Sequence, residues 1–158
     1  MIYAIAALDR KGGIADDKGI PWWGKIPADV AYFKDKTTGS SVVMGAGWYN
    51  EQQRPLPNRK NYVATSDPNP LRDGFEKVTD ARAFLQSTTE NVWVGGGAEL
   101  LTNTLDLIDE LYLTLIEADF HCTKFFPDYH KHFVQVDSSQ PITENGITFT
   151  FTVWKRKP

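Results

Sequence analysis

Short runs of consecutive apolar residues recur along the chain, separated by segments that contain glycine, proline and polar residues. Such runs are typical of strands that are buried on both faces of a sheet. They predict strands at Ile2–Leu8, Ser41–Met44, Asn61–Ala64, Val92–Val94 and Leu111–Ile116. Near the C-terminus the pattern changes, because Phe149, Phe151 and Val153 alternate with threonines after the turn-forming pair Asn145-Gly146. This change predicts a late antiparallel hairpin.

Helix-forming patterns lie between these strands. Pro27–Lys34 begins with proline, which is favoured in a first helical turn, and Thr79 is a candidate N-cap for a helix through Gln86. Two further helices are predicted at Trp48–Gln52 and from Ala98 to Leu105. Alternating strands and helices indicate the α/β class, with a mostly parallel sheet and helices on both faces.

The sequence contains no internal repeat and no linker, so residues 1–158 are expected to form one domain. Ligands of parallel sheets bind at the carboxyl ends of the strands. Three segments that follow predicted strands should therefore share one edge of the sheet: Gly45–Gly47, Thr65-Ser66 and Gly95–Gly97.

Composition narrows the range of partners. The net charge of −3 and the pI near 5.6 argue against a nucleic acid or an acidic membrane as a partner. Cys122 is the single cysteine, which excludes an intrachain disulfide, and the three histidines have no metal-like partners. No basic leader or membrane-length apolar run is present, so we expect a cytoplasmic protein. Aromatic residues make up 13% of the chain, either to fill the core or to wall a pocket for a flat heterocycle.

Three segments carry candidate chemistry. Gly95–Gly97 follows a strand and opens a helix, where bare backbone amides can bind phosphate, although tight turns use glycine as well. Thr65-Ser66 could offer hydroxyls to a second phosphate or a ribose, or could form a plain turn. The loop from Arg54 to Lys60 is either a solvated loop or a clamp for a substrate carboxylate.

Asp29 is the candidate acid. A carboxylate in a first helical turn often only stabilises the helix dipole. The neighbours of Asp29, however, are Trp22, Trp23, Ile26, Val30 and Phe33. A carboxyl group in an apolar pocket has a raised pKa and can hold or relay a proton near neutrality.

Taken together, the residues resemble the dihydrofolate reductase family over essentially the whole chain. The resemblance rests on the order and spacing of several motifs: Ile5-Ala-Ala7, Ile14, Pro21-Trp22, Ile26-Pro-Ala-Asp29, Phe33-Lys34, Val43-Met-Gly45, Arg54-Pro-Leu-Pro57, Arg59-Lys60, Val94-Gly-Gly-Gly97, Leu111-Tyr-Leu-Thr114 and Phe126-Pro127. It implies a twisted, mostly parallel sheet of eight strands with a C-terminal antiparallel hairpin and about four helices. It also implies a monomer that reduces dihydrofolate to tetrahydrofolate with NADPH.

The resemblance further implies roles for individual residues. Asp29 would grip the pterin and promote protonation of N5, Thr114 would support that contact, and Trp22 would position a water. The substrate would contact Ile5, Ala7, Asp29, Val30, Phe33, Lys34, Gln52, Leu56, Arg59, Val94 and Thr114, with Arg59 pairing with the glutamate carboxylate. The cofactor would contact Ala6, Ala7, Ile14, Gly19, Ile20, Gly45, Ala46, Gly47, Trp48, Thr65, Ser66, Lys77, Val94, Gly95, Gly96, Gly97, Ala98, Glu99 and Leu100. Residues 15–24 would form a mobile loop that closes over the nicotinamide.

The chain departs from the family pattern at several positions. Ala46 stands where family members usually carry an arginine that helps bind the adenosine 2′-phosphate, and Ala98 where some members have another arginine. This predicts a cofactor preference relaxed towards NADH, because a charged hydrogen bond to phosphate contributes about 1.5–3 kcal/mol. Glu51, Gln52 and Leu100 also differ, which affects the expected affinity for antifolates.

Two alternatives stay open on the sequence. The first is a related reductase of the same fold that acts on another pterin or on a ribityl-pyrimidine. The second is a non-catalytic nucleotide-binding relative.

Overall fold

The computed structural model describes residues 1–158. Eleven strands are present: β1 Ile2–Leu8, β2 Gly13–Ala15, β3 Ser41–Gly45, β4 Lys60–Ala64, β5 Phe75–Val78, β6 Val92–Gly96, β7 Glu110–Ile116, β8 Lys124–Phe125, β9 Phe133–Ser138, β10 Ile142–Glu144 and β11 Ile147–Arg156. The helices are α1 Pro27–Thr37, α2 Ala46–Glu51, α3 Ala81–Ser87 and α4 Ala98–Thr104, with a 3-10 turn at Leu105–Leu107.

The main sheet runs in the order β10-β11-β7-β1-β6-β3-β4-β5. The strands from β7 to β5 are mutually parallel, whereas β11 is antiparallel to β7. The prediction of a mostly parallel sheet with antiparallel C-terminal strands is therefore confirmed.

The main sheet contains nine strands rather than the expected eight. The difference arises at β11, which is ten residues long. Ile147–Phe149 pairs with β10, and Thr152–Arg156 pairs with β9 beyond a register shift at Val153/Trp154. One edge position of the sheet is thus shared by two short strands.

Helices cover both faces of the sheet. Val42 and Val43 are adjacent in β3 and so point to opposite faces. Val43 packs in the main core with Leu85 of α3 and Leu101 of α4, whereas Val42 packs with Phe33 of α1. The core therefore has two layers, one on each face of the sheet, as the α/β pattern predicts.

Several element boundaries differ from the prediction. The N-cap of α3 is Asp80, whose side chain accepts a hydrogen bond from the Ala83 amide, and not Thr79. Helix α2 begins at Ala46 rather than at the predicted Trp48, so it follows β3 without an intervening loop. Strand β5 was not predicted, since its buried residues Phe75 and Val78 flank two polar residues and form neither a run nor an alternation.

No helix is both long and apolar enough to cross a membrane.

Candidate active site

A cleft of about 1140 Å³ opens at the carboxyl ends of the parallel strands. The three segments that the sequence assigned to one edge, Gly45–Gly47, Thr65-Ser66 and Gly95–Gly97, all line it. On one side the cleft is bounded by residues of α1 and of the loop that precedes α1, and on the other by the first residues of α4. This is the position at which parallel sheets of α/β proteins bind ligands.

Asp29 lies in the first turn of α1 and faces the cleft. The hydroxyl of Thr114, in the middle of β7, donates a hydrogen bond of 2.6 Å to its Oδ1 atom. Thr114 is only 2% exposed, so this hydrogen bond is made on the buried side of the carboxyl group. The pairing of β1 with β7 places Thr114 opposite Ala7, another residue that borders the cleft.

The environment of Asp29 raises its pKa above the ordinary value. Desolvation by burial is the largest cause, and the hydrogen bond from Thr114 acts in the opposite direction. A third effect is the negative charge of Glu144, which also raises the pKa. No ion pair joins Asp29 to a cation. The group is therefore suited to holding a proton at a higher pH than a surface carboxyl group does.

Aromatic and aliphatic side chains form the walls beside Asp29. Trp22 is 4% exposed and packs edge-on against Phe120, with ring centroids 5.3 Å apart. Phe33 packs edge-on against Trp48 at 5.6 Å. Ile5 of β1 also lines the cleft and packs in the same cluster as Phe33 and Trp48. Flat walls of this kind suit a heterocyclic ligand.

The glycine-rich turn after β6 forms the opposite part of the cleft. A Cβ atom on Gly45 would lie 3.2 Å from the Gly97 amide nitrogen, so the turns after β3 and β6 approach backbone to backbone. A Cβ atom on Gly95 would lie 2.1 Å from the Trp48 ring. The peptide bond between Gly96 and Gly97 is cis. These turns leave backbone groups accessible along the cleft, a form that suits a phosphate-bearing ligand.

Charges are unevenly distributed along the cleft. Lys124 is the one lysine or arginine among the lining residues. It pairs with Ala15, the first residue of the predicted mobile loop. The acids that line the cleft are Asp16, Asp17, Asp29, Glu51 and Glu99. The half bounded by the turns after β3, β4 and β6 therefore has no cation of its own.

Residues 15–24, the predicted mobile loop, cover one side of the cleft. The Thr123 amide donates to the Ala15 carbonyl at 3.0 Å, and Asn145 Nδ2 donates to the Lys25 carbonyl at 2.7 Å. Trp23, at the outer surface of the loop, is 69% exposed. Asp17, Lys18 and Ile20, in the middle of the loop, are exposed as well, whereas both ends are held by hydrogen bonds.

Most residues proposed from the sequence line this cleft. They are Ile5, Ala6, Ala7, Ile14, Gly19, Ile20, Trp22, Asp29, Val30, Phe33, Gly45, Ala46, Gly47, Trp48, Gln52, Leu56, Thr65, Ser66, Gly95, Gly96, Gly97, Ala98, Glu99 and Leu100. Thr114 reaches the cleft only through Asp29. Val94 is fully buried in β6.

Three proposed cations lie outside the lining. Arg59 donates to the Pro57 carbonyl and, at 2.9 Å, to Thr37 Oγ1 at the end of α1. Lys77 Nζ donates to the carbonyl groups of Asp67 and Asn69 and so holds the loop after β4. Lys34 is exposed on α1.

Sequence reasoning missed other residues at the cleft. Val78, Thr79 and Ala81 border it because β5 ends at the same edge, and the failure to predict β5 concealed them. Glu144, which lies outside the lining but contacts α1, was missed as well, because that contact spans 116 positions of sequence. No local pattern could have shown that contact.

Comparisons with known proteins agree with this geometry. The family model described as dihydrofolate reductase matches residues 1–156. The dihydrofolate reductase of Bacillus subtilis is 35% identical over 99% of this chain and 95% of its own length. A type 3 dihydrofolate reductase of Salmonella typhimurium is 38% identical over 82% of this chain and 80% of its own length.

A solved structure is similar over the whole chain. The dihydrofolate reductase of Enterococcus faecalis, complexed with NADP(H) and RAB-propyl, superposes with a TM-score of 0.88 at 28% identity. The match covers 100% of this chain and 97% of that one.

Proposed function

This chain belongs to the dihydrofolate reductase family and catalyses the NADPH-dependent reduction of dihydrofolate; we propose that Asp29 is the proton-handling group of that reaction. The observation that carries the proposal is the Asp29–Thr114 pair at the cleft, with a carboxyl pKa raised by burial. In this reaction a hydride adds to C6 of the pterin and a proton adds to N5, which gives 5,6,7,8-tetrahydrofolate and the oxidised cofactor. The bound cofactor supplies the hydride.

The protein binds and orients the substrate and excludes water from it. Ile5, Phe33 and Leu56 wall the pterin and benzoyl rings, while Trp22 positions a water beside N5. Asp29 hydrogen-bonds the amino group and a ring nitrogen of the pterin. By keeping a proton at this end of the pterin, Asp29 promotes the protonation of N5. Closure of residues 15–24 removes water from the reacting atoms.

The residues of the other half fit a dinucleotide. The glycine turns after β3 and β6 offer a backbone cradle without side chains, and Thr65 and Ser66 offer hydroxyl groups beside it. Ala7 and Ile14 would hold the nicotinamide carboxamide through their backbone. Asp29 and the segments that would hold the cofactor line one cleft, so one chain could bring substrate and hydride donor together.

Asp29→Asn tests the assignment of the acid. We expect kcat with dihydrofolate at neutral pH to fall by roughly 10²–10⁴-fold, the usual contribution of a general acid. In the parent, turnover should fall as pH rises through the raised pKa of Asp29; in the variant this decline should disappear. The measurement is the loss of reduced-cofactor absorbance between pH 5 and pH 9.

Asp35→Asn is the matched control, since Asp35 is an exposed carboxylate on the same helix outside the cleft. Its rate and pH profile should match the parent. An Asp29→Asn enzyme with parental kcat and an unchanged profile would exclude Asp29 from the proton transfer.

We also propose that the enzyme uses NADH beside NADPH. The adenosine 2′-phosphate distinguishes the two cofactors, and the half of the cleft that would receive it has no cation among its lining residues. Ala46 and Ala98 lie there, and the Lys77 ammonium group is occupied by two carbonyl groups of the loop after β4. Without a cation, the phosphate loses the charged contact that normally favours NADPH.

Ala46→Arg tests this cofactor proposal. Ala46 is exposed at the start of α2, so arginine fits without disturbing the core. We expect the ratio of kcat/KM for NADPH to that for NADH to rise by about 10- to 100-fold in the variant. The gain should shrink in high salt, which screens the new charge pair.

Asn91→Arg adds the same charge directly before β6, at the amino ends of the parallel strands and therefore away from the cleft. This control should keep the parental ratio. A parent enzyme with a large NADPH preference that persists in high salt would contradict the proposal.

We further propose a monomeric enzyme of the cytoplasm whose partners are small molecules. One chain forms every wall of the cleft, and the single cysteine is a free, buried thiol that requires no oxidising compartment. Sedimentation at micromolar concentration, with and without cofactor, tests the oligomeric state.

A further inference from the structure

The first turn of α1 is capped by a residue from the far end of the chain. The N-cap residue, Ile26, has no side-chain acceptor, and Pro27 has no amide hydrogen. The next amide, that of Ala28, donates a hydrogen bond of 2.9 Å to Glu144 Oε1. Glu144 therefore supplies the acceptor that a local Ser, Thr or Asp would supply in most helices.

The hairpin between β10 and β11 fixes the position of Glu144. Glu144 is the last residue of β10 and pairs with Ile147 across a turn in which Asn145 and Gly146 both have positive φ, 49° and 75°. Asn145 Nδ2 donates to the Lys25 carbonyl at 2.7 Å. Two hydrogen bonds thus attach the tip of the hairpin to the residues on either side of Ile26.

The capping contact places a second carboxylate near the proposed catalytic acid. Asp29 directly follows Ala28, and the charge of Glu144 raises the pKa of Asp29. This effect adds to burial and opposes the hydrogen bond from Thr114 of β7. A helix N-terminus alone favours ionised carboxylates, so a fixed negative charge at that terminus changes the balance toward the protonated form.

The other groups around Asp29 leave this effect uncompensated. Tyr32, one turn along α1, has a pKa raised to about 12 and stays neutral at assay pH. It stacks on Phe151 of β11, which carries no charge. Trp22 of the preceding loop and Thr114 of β7 do not titrate in this range. None of the ion pairs in the chain includes Asp29 or Glu144.

We infer that Glu144 is a positioning residue for the reaction: its carboxylate accepts a hydrogen bond from the first turn of α1 and so holds that turn, with a fixed negative charge, beside Asp29. The inference rests on the proposed role of Asp29 in proton transfer. Through it, the C-terminal hairpin determines the upper end of the pH range in which the enzyme turns over.

Glu144→Gln separates the charge from the hydrogen bond, because the glutamine oxygen can still accept from Ala28. Turnover should be recorded from pH 5 to pH 9 with saturating dihydrofolate and NADPH. We expect the alkaline limb of kcat to move to lower pH, with kcat on that limb reduced roughly two- to fivefold, as one partly screened charge–charge interaction would give. KM for dihydrofolate and the urea midpoint should stay close to the parent.

Glu76→Gln is the matched control. Glu76 is exposed on β5, at the opposite edge of the sheet from β10. The substitution therefore removes the same charge at a position that does not face Asp29. The limb should not move in this variant.

A direct titration of Asp29 distinguishes failure of this inference from failure of the proposed function. The carboxyl carbon of Asp29 can be followed by ¹³C NMR and assigned by its absence in Asp29→Asn. A lower titration midpoint in Glu144→Gln, together with the shifted limb, supports the inference. An unchanged midpoint overturns it. A lower midpoint with an unmoved limb shows that Glu144 acts on Asp29 but that Asp29 does not limit turnover, which overturns the proposed proton role instead.

Discussion

At the scale of single residues, the site depends on one carboxyl group in a setting that opposes its ionisation. Burial raises the pKa of Asp29, and the 2.6 Å hydrogen bond from Thr114 partly offsets that rise. Since the folded-state pKa lies above the unfolded value, protonated Asp29 adds stability at acidic pH. That stability is lost as pH rises through the folded pKa. The chain therefore gives up some stability at neutral pH to keep an acid in its cleft.

Thr114→Val should move the pH profile in the direction opposite to Glu144→Gln. Valine matches the shape of threonine but removes the hydroxyl donor that lowers the pKa of Asp29, so the alkaline limb should move to higher pH. We also expect a loss of about 1–3 kcal/mol in the free energy of unfolding, because a largely buried carboxyl group loses a hydrogen-bond partner. Turnover profiles and urea unfolding at pH 7 measure the two effects.

Thr148→Val provides the control, since its hydroxyl bonds only Thr143 on the exposed hairpin. It should leave the profile in place. An alkaline limb in Thr114→Val that stays fixed or moves to lower pH would show that the hydroxyl does not stabilise ionised Asp29.

At the scale of elements, the close approach of α2 to the end of β6 shapes the middle of the cleft. Trp48 of α2 lies against Gly95, where a Cβ atom would be 2.1 Å from its ring. The same ring packs edge-on against Phe33 of α1. The absence of a Cβ atom at Gly95 thus leaves room for the Trp48 ring, which connects α2 with α1 beside the site.

Gly95→Ala should force this ring out of place. Overpacking of this kind usually lowers stability by about 1–3 kcal/mol, and a displaced Trp48 would enter the cleft and raise KM for both ligands. Urea unfolding followed by tryptophan fluorescence, together with steady-state kinetics, tests both effects.

Gly47→Ala is the comparison, because a Cβ atom on Gly47 meets nothing within 4 Å and the residue lies inside α2. Its stability should equal or exceed the parent, since alanine is the better helix former. Equal stability and KM in the two variants would show that the turn shifts freely and that the contact does not shape the cleft.

At the scale of the whole molecule, sheet order explains how residues distant in sequence meet. Strand β1 lies between β6 and β7, so the glycine turn and Thr114 flank the same central strand. Strand β11 then extends the sheet beyond β7 and carries the hairpin that reaches α1. The acid, its donor and its cap therefore come from three elements that no short segment of sequence connects.

Local patterns determined much of this protein. Apolar runs gave the buried strands of the parallel sheet, because a strand covered on both faces needs apolar residues at every position. The order of motifs from Ile5-Ala-Ala7 to Phe126-Pro127 indicated the family. Asp29 could be singled out because its apolar neighbours are local: Trp22 and Ile26 precede it in the chain, and Phe33 follows it in α1.

Tertiary structure alone decided the rest, because the deciding contacts join distant positions or depend on what a side chain already binds. Strands β8 and β9 have little burial of their own, and β5 has an irregular burial pattern, so their partners define all three. Lys77 was expected to contact the cofactor, but its ammonium group donates to two carbonyl groups of the loop after β4. Glu144 reaches Ala28 across 116 positions. Sequence periodicity reports which face of an element is buried, and only the packed chain determines which element covers that face and which charge comes with it.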